Sequence, residues 1–320
     1  MQRQLSCFKF PPQKKIIHRK GNKIYIFFLS LHQKMAKQTL VFESAKELSL
    51  NNGMMVITDK ITGEITLKSL EDIQMIMVDN HSVRISVPLI VRLVKNNVSI
   101  VYCDEKHMPV SMMMDLESNT LQSKRFQNQL SISIPTKKKI WKQIVEAKIR
   151  NQSLLLKKLG KGNNLLELYY KNVKSGDSTN REGVAARQYW KHLMGKEFVR
   201  DRFGEPPNAL LNYGYTLLRS MMARNLMNAG LLPTVGVFHR NCYNAYPLAD
   251  DLMEPYRPFV DQKVIGLYEK GVTEVCRESK QKLLDIFYTD IPANAMMISA
   301  STLASLYEGI SKIIVFPKIV

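Results

Sequence analysis

A histidine, three carboxylates and two arginines fall within 19 residues of this chain, from His239 to Arg257. They lie in His239-Arg240-Asn241-Cys242 and, shortly after, in Asp250-Asp251-Leu252-Met253-Glu254-Pro255-Tyr256-Arg257. Imidazole beside carboxylates suits a hard or borderline divalent cation, Mg²⁺ or Mn²⁺. Arginines next to such a cation suit a phosphate-bearing substrate, because the guanidinium fork matches phosphate oxygens. Upstream, Glu182 opens Glu-Gly-Val-Ala-Ala-Arg-Gln-Tyr-Trp and adds a carboxylate with its own arginine, Arg187. Metal and phosphate together point to phosphodiester chemistry on nucleic acid. Zinc fits less well: His239 and Cys242 are three apart, but neither H-E-x-x-H nor paired cysteines occur.

Each of these residues also has a plain structural explanation. Glu182 reads equally as a solvated helix-face carboxylate, and His239 as a hydrogen-bonded loop histidine. Asp250, Asp251 and Glu254 would suit an ordinary acidic helix start just after Pro247. Arg187, Arg240 and Arg257 are candidate phosphate contacts, or else salt-bridge partners of the acidic cluster. Tyr189 and Trp190 sit beside Ala185 and Ala186 and read as core. The combination favours chemistry: Asp250 and Asp251 precede Glu254 by four and three residues, one helical turn.

Composition agrees. Forty-six Lys and Arg against 28 Asp and Glu give +18, the electrostatic footprint of a polyanion-binding protein. Residues 1–34 carry eight of those cations and no acid, which leaves +10 for residues 35–320. The body is therefore cationic by itself. A non-catalytic DNA-binding scaffold would explain that charge without needing the metal constellation. A hydrolase of small phosphorylated substrates would explain the constellation but leaves the charge idle.

The first 34 residues read as a basic extension before Met35, a candidate true start. Their apolar run, Ile24 to Leu31, is too short to span a bilayer and lacks a small-residue cleavage site. Cys7, Cys103, Cys242 and Cys276 are scattered, so neither a disulfide framework nor a zinc ribbon is expected. A cytoplasmic protein is expected.

The elements that must position the site change character once, near residue 115. Before it, strands are expected at Gln38–Phe42, Glu47–Leu50, Met54–Thr58, Glu64–Lys68, Ile73–Val78, Val98–Cys103 and Pro109–Met114, with a helix at Pro88–Lys95. Beyond it the periodicity is helical. Ile140, Trp141, Ile144 and Val145 form an amphipathic stripe. Leu211, Tyr215, Leu218, Met222 and Leu226 form another that stops at Gly230. Leu248–Tyr268 and Thr302–Ile314 read as further helices. The expected class is α+β: a small β-rich domain over residues 35–115, then a larger all-α domain over 116–320 carrying the metal site.

These motifs, in order, resemble the CRISPR-associated adaptation endonuclease/integrase family, the first-numbered Cas proteins. The resemblance spans Met35 to Val320. It rests on Glu182-Gly-x-Ala-Ala-Arg187-x-Tyr-Trp190, Leu211-Asn212-Tyr213-Gly214-Tyr215, Ala229-Gly230-Leu231-x-Pro233, Gly236-x-x-His239-Arg240-Asn241 and Asp251-Leu252-Met253-Glu254-Pro255-Tyr256-Arg257-Pro258. Ile140-Trp141-Lys142-x-Ile144-Val145-x-x-Lys148-Ile149-x-Asn151-Gln152 resembles the version accompanying type II systems, whose effector is a single RNA-guided nuclease. The resemblance implies a β domain used in homodimerisation and an α domain binding Mg²⁺ or Mn²⁺ through Glu182, His239 and Glu254. Asp251 matches a neighbouring acidic position. It further implies a small second Cas protein as partner, two dimers flanking a dimer of it. The DNA partners would be duplex, branched, spacer-precursor and repeat DNA, with insertion of short foreign segments into a CRISPR array.

Overall fold

The computed structural model describes Lys15–Lys20, Lys23–Phe28 and residues 37–288 apart from 114, 116 and 163. The expected helix at Thr302–Ile314 lies outside the described residues. Lys15–Lys20 (β1) and Lys23–Phe28 (β2) pair antiparallel, with Ile17 opposite Ile26. This hairpin and the chain from Gln38 onward are separate units.

From Gln38 the chain alternates as its turn residues direct. Gln38–Phe42 (β3), Lys46–Asn51 (β4), Met54–Asp59 (β5), Ile65–Ser69 (β6), Ile73–Val78 (β7) and Arg84–Ile85 (β8) lead into a helix, Val87–Lys95 (α1). Ser99–Cys103 (β9) and Pro109–Met113 (β10) follow. They build two four-stranded sheets, ordered β10-β9-β7-β3 and β6-β5-β4-β8. In the first, β7 runs parallel to both β3 and β9. A central strand covered on both faces should be a near-continuous apolar run rather than alternating, and β7 is so apart from Gln74: Ile73, Met75, Ile76, Met77 and Val78 are all buried. Ile76 and Val78 join Leu48, Met55, Leu89 and Leu93 in a core with the second sheet and α1. Met75 and Met77, on the other face, pack with the helices.

The helices are Gln122–Ser131 (α2), Ile134–Lys158 (α3), Leu165–Lys171 (α4), Arg181–Met194 (α5), Asn208–Asn228 (α6), Pro247–Met253 (α7), Arg257–Tyr268 (α8) and Arg277–Leu284 (α9). Both expected stripes are buried, on α3 and α6. On α6, Leu210, Tyr213, Leu217 and Met221 are buried too, so that helix is central rather than amphipathic. Gly214 lets it approach α8, because a Cβ there would meet Val260 Cγ1 at 2.4 Å.

One expected helix breaks in two. Leu248–Tyr268 is interrupted by a 3₁₀ turn, Glu254–Tyr256, between α7 and α8. Pro255 and Pro258 supply no N–H for the α ladder, and the tighter turn restarts the helix at Arg257. The break falls at Glu254, a candidate ligand. No helix among the described residues is long and apolar enough to cross a membrane.

Candidate active site

Glu182 sits in the first turn of α5. Asn180 accepts a hydrogen bond from the Gly183 amide, and Asp177 accepts from the Arg181 and Glu182 amides at 2.8 and 3.0 Å. These caps satisfy amides that a helix start leaves unpaired. They fix the α5 start and leave the Glu182 carboxylate free to point elsewhere.

His239 is held by a single carboxylate. Asp251 is fully buried and accepts from the amides of Val237, Phe238 and His239 at 2.6, 2.9 and 3.2 Å. The His239 Nδ1–H, assigned as the donor, reaches Asp251 Oδ1 at 2.6 Å. Nε2 is thereby left as the available nitrogen, the usual carboxylate–histidine arrangement behind a metal ligand. The Asp251 hydrogen bond holds the imidazole pKa above its ordinary value, against the opposing effect of burial. Gly236 makes the tight loop possible: a Cβ there would lie 2.5 Å from the His239 carbonyl oxygen.

Glu254 is buried at the helix break. Lys148, from α3, donates to Glu182 Oε1 at 2.6 Å, and its Nζ lies 2.6 Å from Glu254 Oε2. Arg257 Nε lies 2.9 Å from Glu254 Oε1, and the guanidinium stacks 4.5 Å above the Tyr215 ring. Burial alone would raise the Glu254 pKa, but Arg257 and Lys148 reverse this and hold it below the ordinary range. The same carboxylates keep the buried Lys148 ammonium protonated although desolvation opposes it. The anchoring turn is itself tied to α3, where the buried Asn151 donates to the Pro255 carbonyl at 2.8 Å.

The structure joins Glu182 and Glu254 through Lys148, places His239 within electrostatic reach of Glu254, and gives Asp250 and Asp251 other work. Asp250 is clamped by Arg219 Nε at 2.6 Å and Nη2 at 3.1 Å, and by Asn244 at 2.8 Å. Of the arginines, Arg257 is an ion-pair partner inside the cluster, while Arg187 and Arg240 are exposed. Tyr189 is core and donates to the buried Asp261 at 2.7 Å; Trp190 is half-buried. Cys242 and Cys276 are exposed free thiols and Cys103 is buried.

Among the described residues, no three His, Cys, Asp or Glu side chains stand ready together as a metal-binding group. The Lys148 ammonium lies between Glu182 and Glu254, 2.6 Å from each. Carboxylate and imidazole are nonetheless the donor types that ligate divalent cations. The cluster offers two carboxylates, which already grip one cation, the Lys148 ammonium, and an imidazole oriented by Asp251. Sequence reasoning missed Lys148, yet a signal existed. Lys148 falls four residues after Ile144 and seven after Trp141, on the apolar stripe, where a lysine needs a buried partner.

Comparison with known proteins places the chain in a family. The family described as CRISPR associated protein Cas1 matches residues 39–284. The chain belongs to the Cas1 family. A CRISPR-associated endonuclease Cas1 from Neisseria meningitidis serogroup C is 35% identical over 283 residues, covering 87% of this chain and 91% of that protein. A casposase bound to integration product superposes with a TM-score of 0.68 at 21% identity, over 87% of this chain and 92% of that one. A chain of a Cas6-RT-Cas1–Cas2 complex superposes at 0.65 and 20% identity, over 93% of this chain and 38% of that one. The α+β fold with N-terminal sheets and a helical remainder is the fold these Cas1-like structures share.

Proposed function

We propose that the chain is a divalent-metal-dependent DNA endonuclease and integrase that joins short foreign DNA segments to a CRISPR array. The observation that carries this reading is the cation already held between Glu182 and Glu254, beside a histidine whose open nitrogen is set by Asp251. Family membership and a Cas1 endonuclease as a 35% identical relative support it. So does likeness to a casposase bound to integration product.

Glu182, His239 Nε2 and Glu254 would hold Mg²⁺ or Mn²⁺, with Lys148 withdrawn from between the carboxylates. When bound, the ion supplies Lewis-acid activation of the attacking hydroxyl and neutralises charge at the phosphate. The chain's own residues do the rest. Asp251 fixes the imidazole, Arg257 offsets the charge of Glu254, and the Asn151 bond keeps the 3₁₀ turn in place. Glu182 and His239 retain partial exposure, 22% and 39% of their side chains, which leaves an approach for DNA. Attack by a 3′-hydroxyl on a phosphodiester of the target forms a new phosphodiester and expels the 3′-oxygen of the attacked strand as a hydroxyl. Attack by water breaks the same bond and leaves a 5′-phosphate and a 3′-hydroxyl.

Duplex and branched DNA, spacer precursor and repeat are the proposed substrates. A homodimer and a small second Cas protein are the proposed partners, the latter supported by the Cas1–Cas2 complex among similar structures. The type II RNA-guided effector is a further proposed partner, in the cytoplasm. A non-catalytic scaffold is the second reading, and the +10 carried by residues 35–320, which would bind DNA without a metal, favours it. One assay separates the two: joining of a labelled 3′-hydroxyl oligonucleotide to repeat DNA with Mg²⁺, Mn²⁺ or EDTA. Joined product only with metal supports the integrase; none under any condition supports the scaffold.

A further inference from the structure

Phe238 carries an aromatic surface beside the candidate ligand His239 that core packing does not use. Its ring stacks on Trp141 with centroids 4.2 Å apart and planes 2° from parallel. Trp141 is 1% exposed while Phe238 is 48% exposed. A ring laid flat on a buried indole and still half exposed turns its other face outward. The His239 ring stands nearly perpendicular to it, 5.9 Å away, so the platform is fixed relative to the candidate reaction centre.

Phe238 lines a cavity of about 350 Å³ together with Lys137, Lys138 and Arg240, and no carboxylate lines it. Among the described residues none of these three cations makes an ion pair. The contrast with the neighbouring cations is sharp, because Lys148, Arg219 and Arg257 are all bound to carboxylates. Unpaired cations around an open aromatic face are the chemistry of single-stranded nucleic-acid binding: the ring takes a base and the cations take its phosphates.

We propose that this cavity takes one unpaired nucleobase of the DNA substrate, stacked on Phe238, with the flanking phosphates on Lys137, Lys138 and Arg240. The assignment rests on the reading that the site acts on DNA. Phe238 is a positioning residue: a base seated there sets where the next phosphate lies relative to His239. A base paired inside a duplex has no free face to offer, so the cavity selects an unpaired nucleotide.

The test uses the full chain in EDTA, so that neither metal nor turnover enters. Two DNAs are compared, a blunt duplex and the same duplex with an unpaired 3′ extension carrying 2-aminopurine at successive positions. One position should be quenched on binding. Phe238→Leu keeps Trp141 covered, which unchanged near-UV circular dichroism and thermal midpoint would verify. It should abolish the quenching and weaken binding of the extended DNA about tenfold, a typical stacking contribution, with little change for the blunt duplex. Phe238→Trp should restore both readouts. Equal binding of the two DNAs with no quenched position overturns this assignment alone. Equal weakening on both by Phe238→Leu also overturns it. Absence of binding to either DNA overturns the DNA reading with it.

Discussion

Lys148 Nζ and Glu254 Oε2 lie 2.6 Å apart with side chains 12% and 5% exposed, a nearly buried ion pair at the position proposed for a metal. Glu182 closes the other side of the ammonium, also at 2.6 Å. The lysine acts as an internal counter-ion. It allows two carboxylates to approach each other, and a divalent ion bound there would have to displace it.

Lys148→Met should therefore destabilise the metal-free protein, because it leaves the buried Glu254 charge short of a partner, at a cost of about 3–5 kcal/mol. Mn²⁺ should raise the thermal midpoint of the variant more than that of the wild type, since the ion no longer competes with an ammonium. Calorimetric scans with and without Mn²⁺ measure both. A smaller metal-induced rise in the variant would remove the cation site.

Glu182→Ala, His239→Ala and Glu254→Ala should each lower strand joining by a factor of about 10² or more, a loss of about 3–4 kcal/mol of transition-state stabilisation. DNA affinity, spread over many Lys and Arg contacts, should be largely spared. Asp251→Asn should fall between, about 10–100-fold, because it loses the tautomer and orientation of His239 without removing a ligand. Asp250→Ala should be milder than Glu254→Ala in metal binding and should instead free Arg219 and Asn244. Single-turnover joining rates beside gel-shift affinities test the order. A Glu254→Ala protein that joins DNA at the wild-type rate would refute the site.

Asp261 offers a pH-dependent test outside the metal ligands. Burial raises its carboxyl pKa to about 6, against the lowering effect of hydrogen bonds from Tyr189 and Tyr215. Between about pH 4 and pH 6 the folded state keeps a proton that the unfolded state has released. Stability from this group is therefore lost as pH rises through that window; the cost is absent below it and complete above it, on the order of 2–3 kcal/mol. Asp261→Asn removes the titration, so the wild type should lose stability relative to the variant from pH 4 to pH 6. Urea midpoints across that range measure it, and parallel curves would mean Asp261 ionises normally.

Residues 35–320 carry +10 without the basic extension. Their affinity for duplex DNA should fall steeply with salt as counterions are released. Gel shifts over a salt series, with and without residues 1–34, test this. Affinity that vanishes with the extension would place the DNA surface on residues 1–34.

Local information was enough for the seven strands expected between Gln38 and Met114, though not for Arg84–Ile85 or the hairpin of β1 and β2, and for every residue of the site but Lys148. Turn residues such as Asn51-Asn52-Gly53 bound the hairpin of β4 and β5, and the burial stripes of α3 and α6 follow directly from spacing. The break at Glu254 was written in Pro255 and Pro258, but acidic residues at a helix start read equally well as one continuous helix.

By itself the sequence determined which groups this chain brings: a cationic body, Glu182, His239, Glu254, and the ordered motifs of its family. Tertiary structure decided which of them meet and what each one does there. Asp250 and Asp251 are neighbours in the chain, yet one clamps Arg219 and the other holds His239. Successive helical residues point about 100° apart, so their partners are chosen by whichever elements pack alongside. Lys148 is the clearest case. Spacing placed it on a buried face, but only the packing of α3 against the start of α5 and the Glu254 turn put two carboxylates on its ammonium.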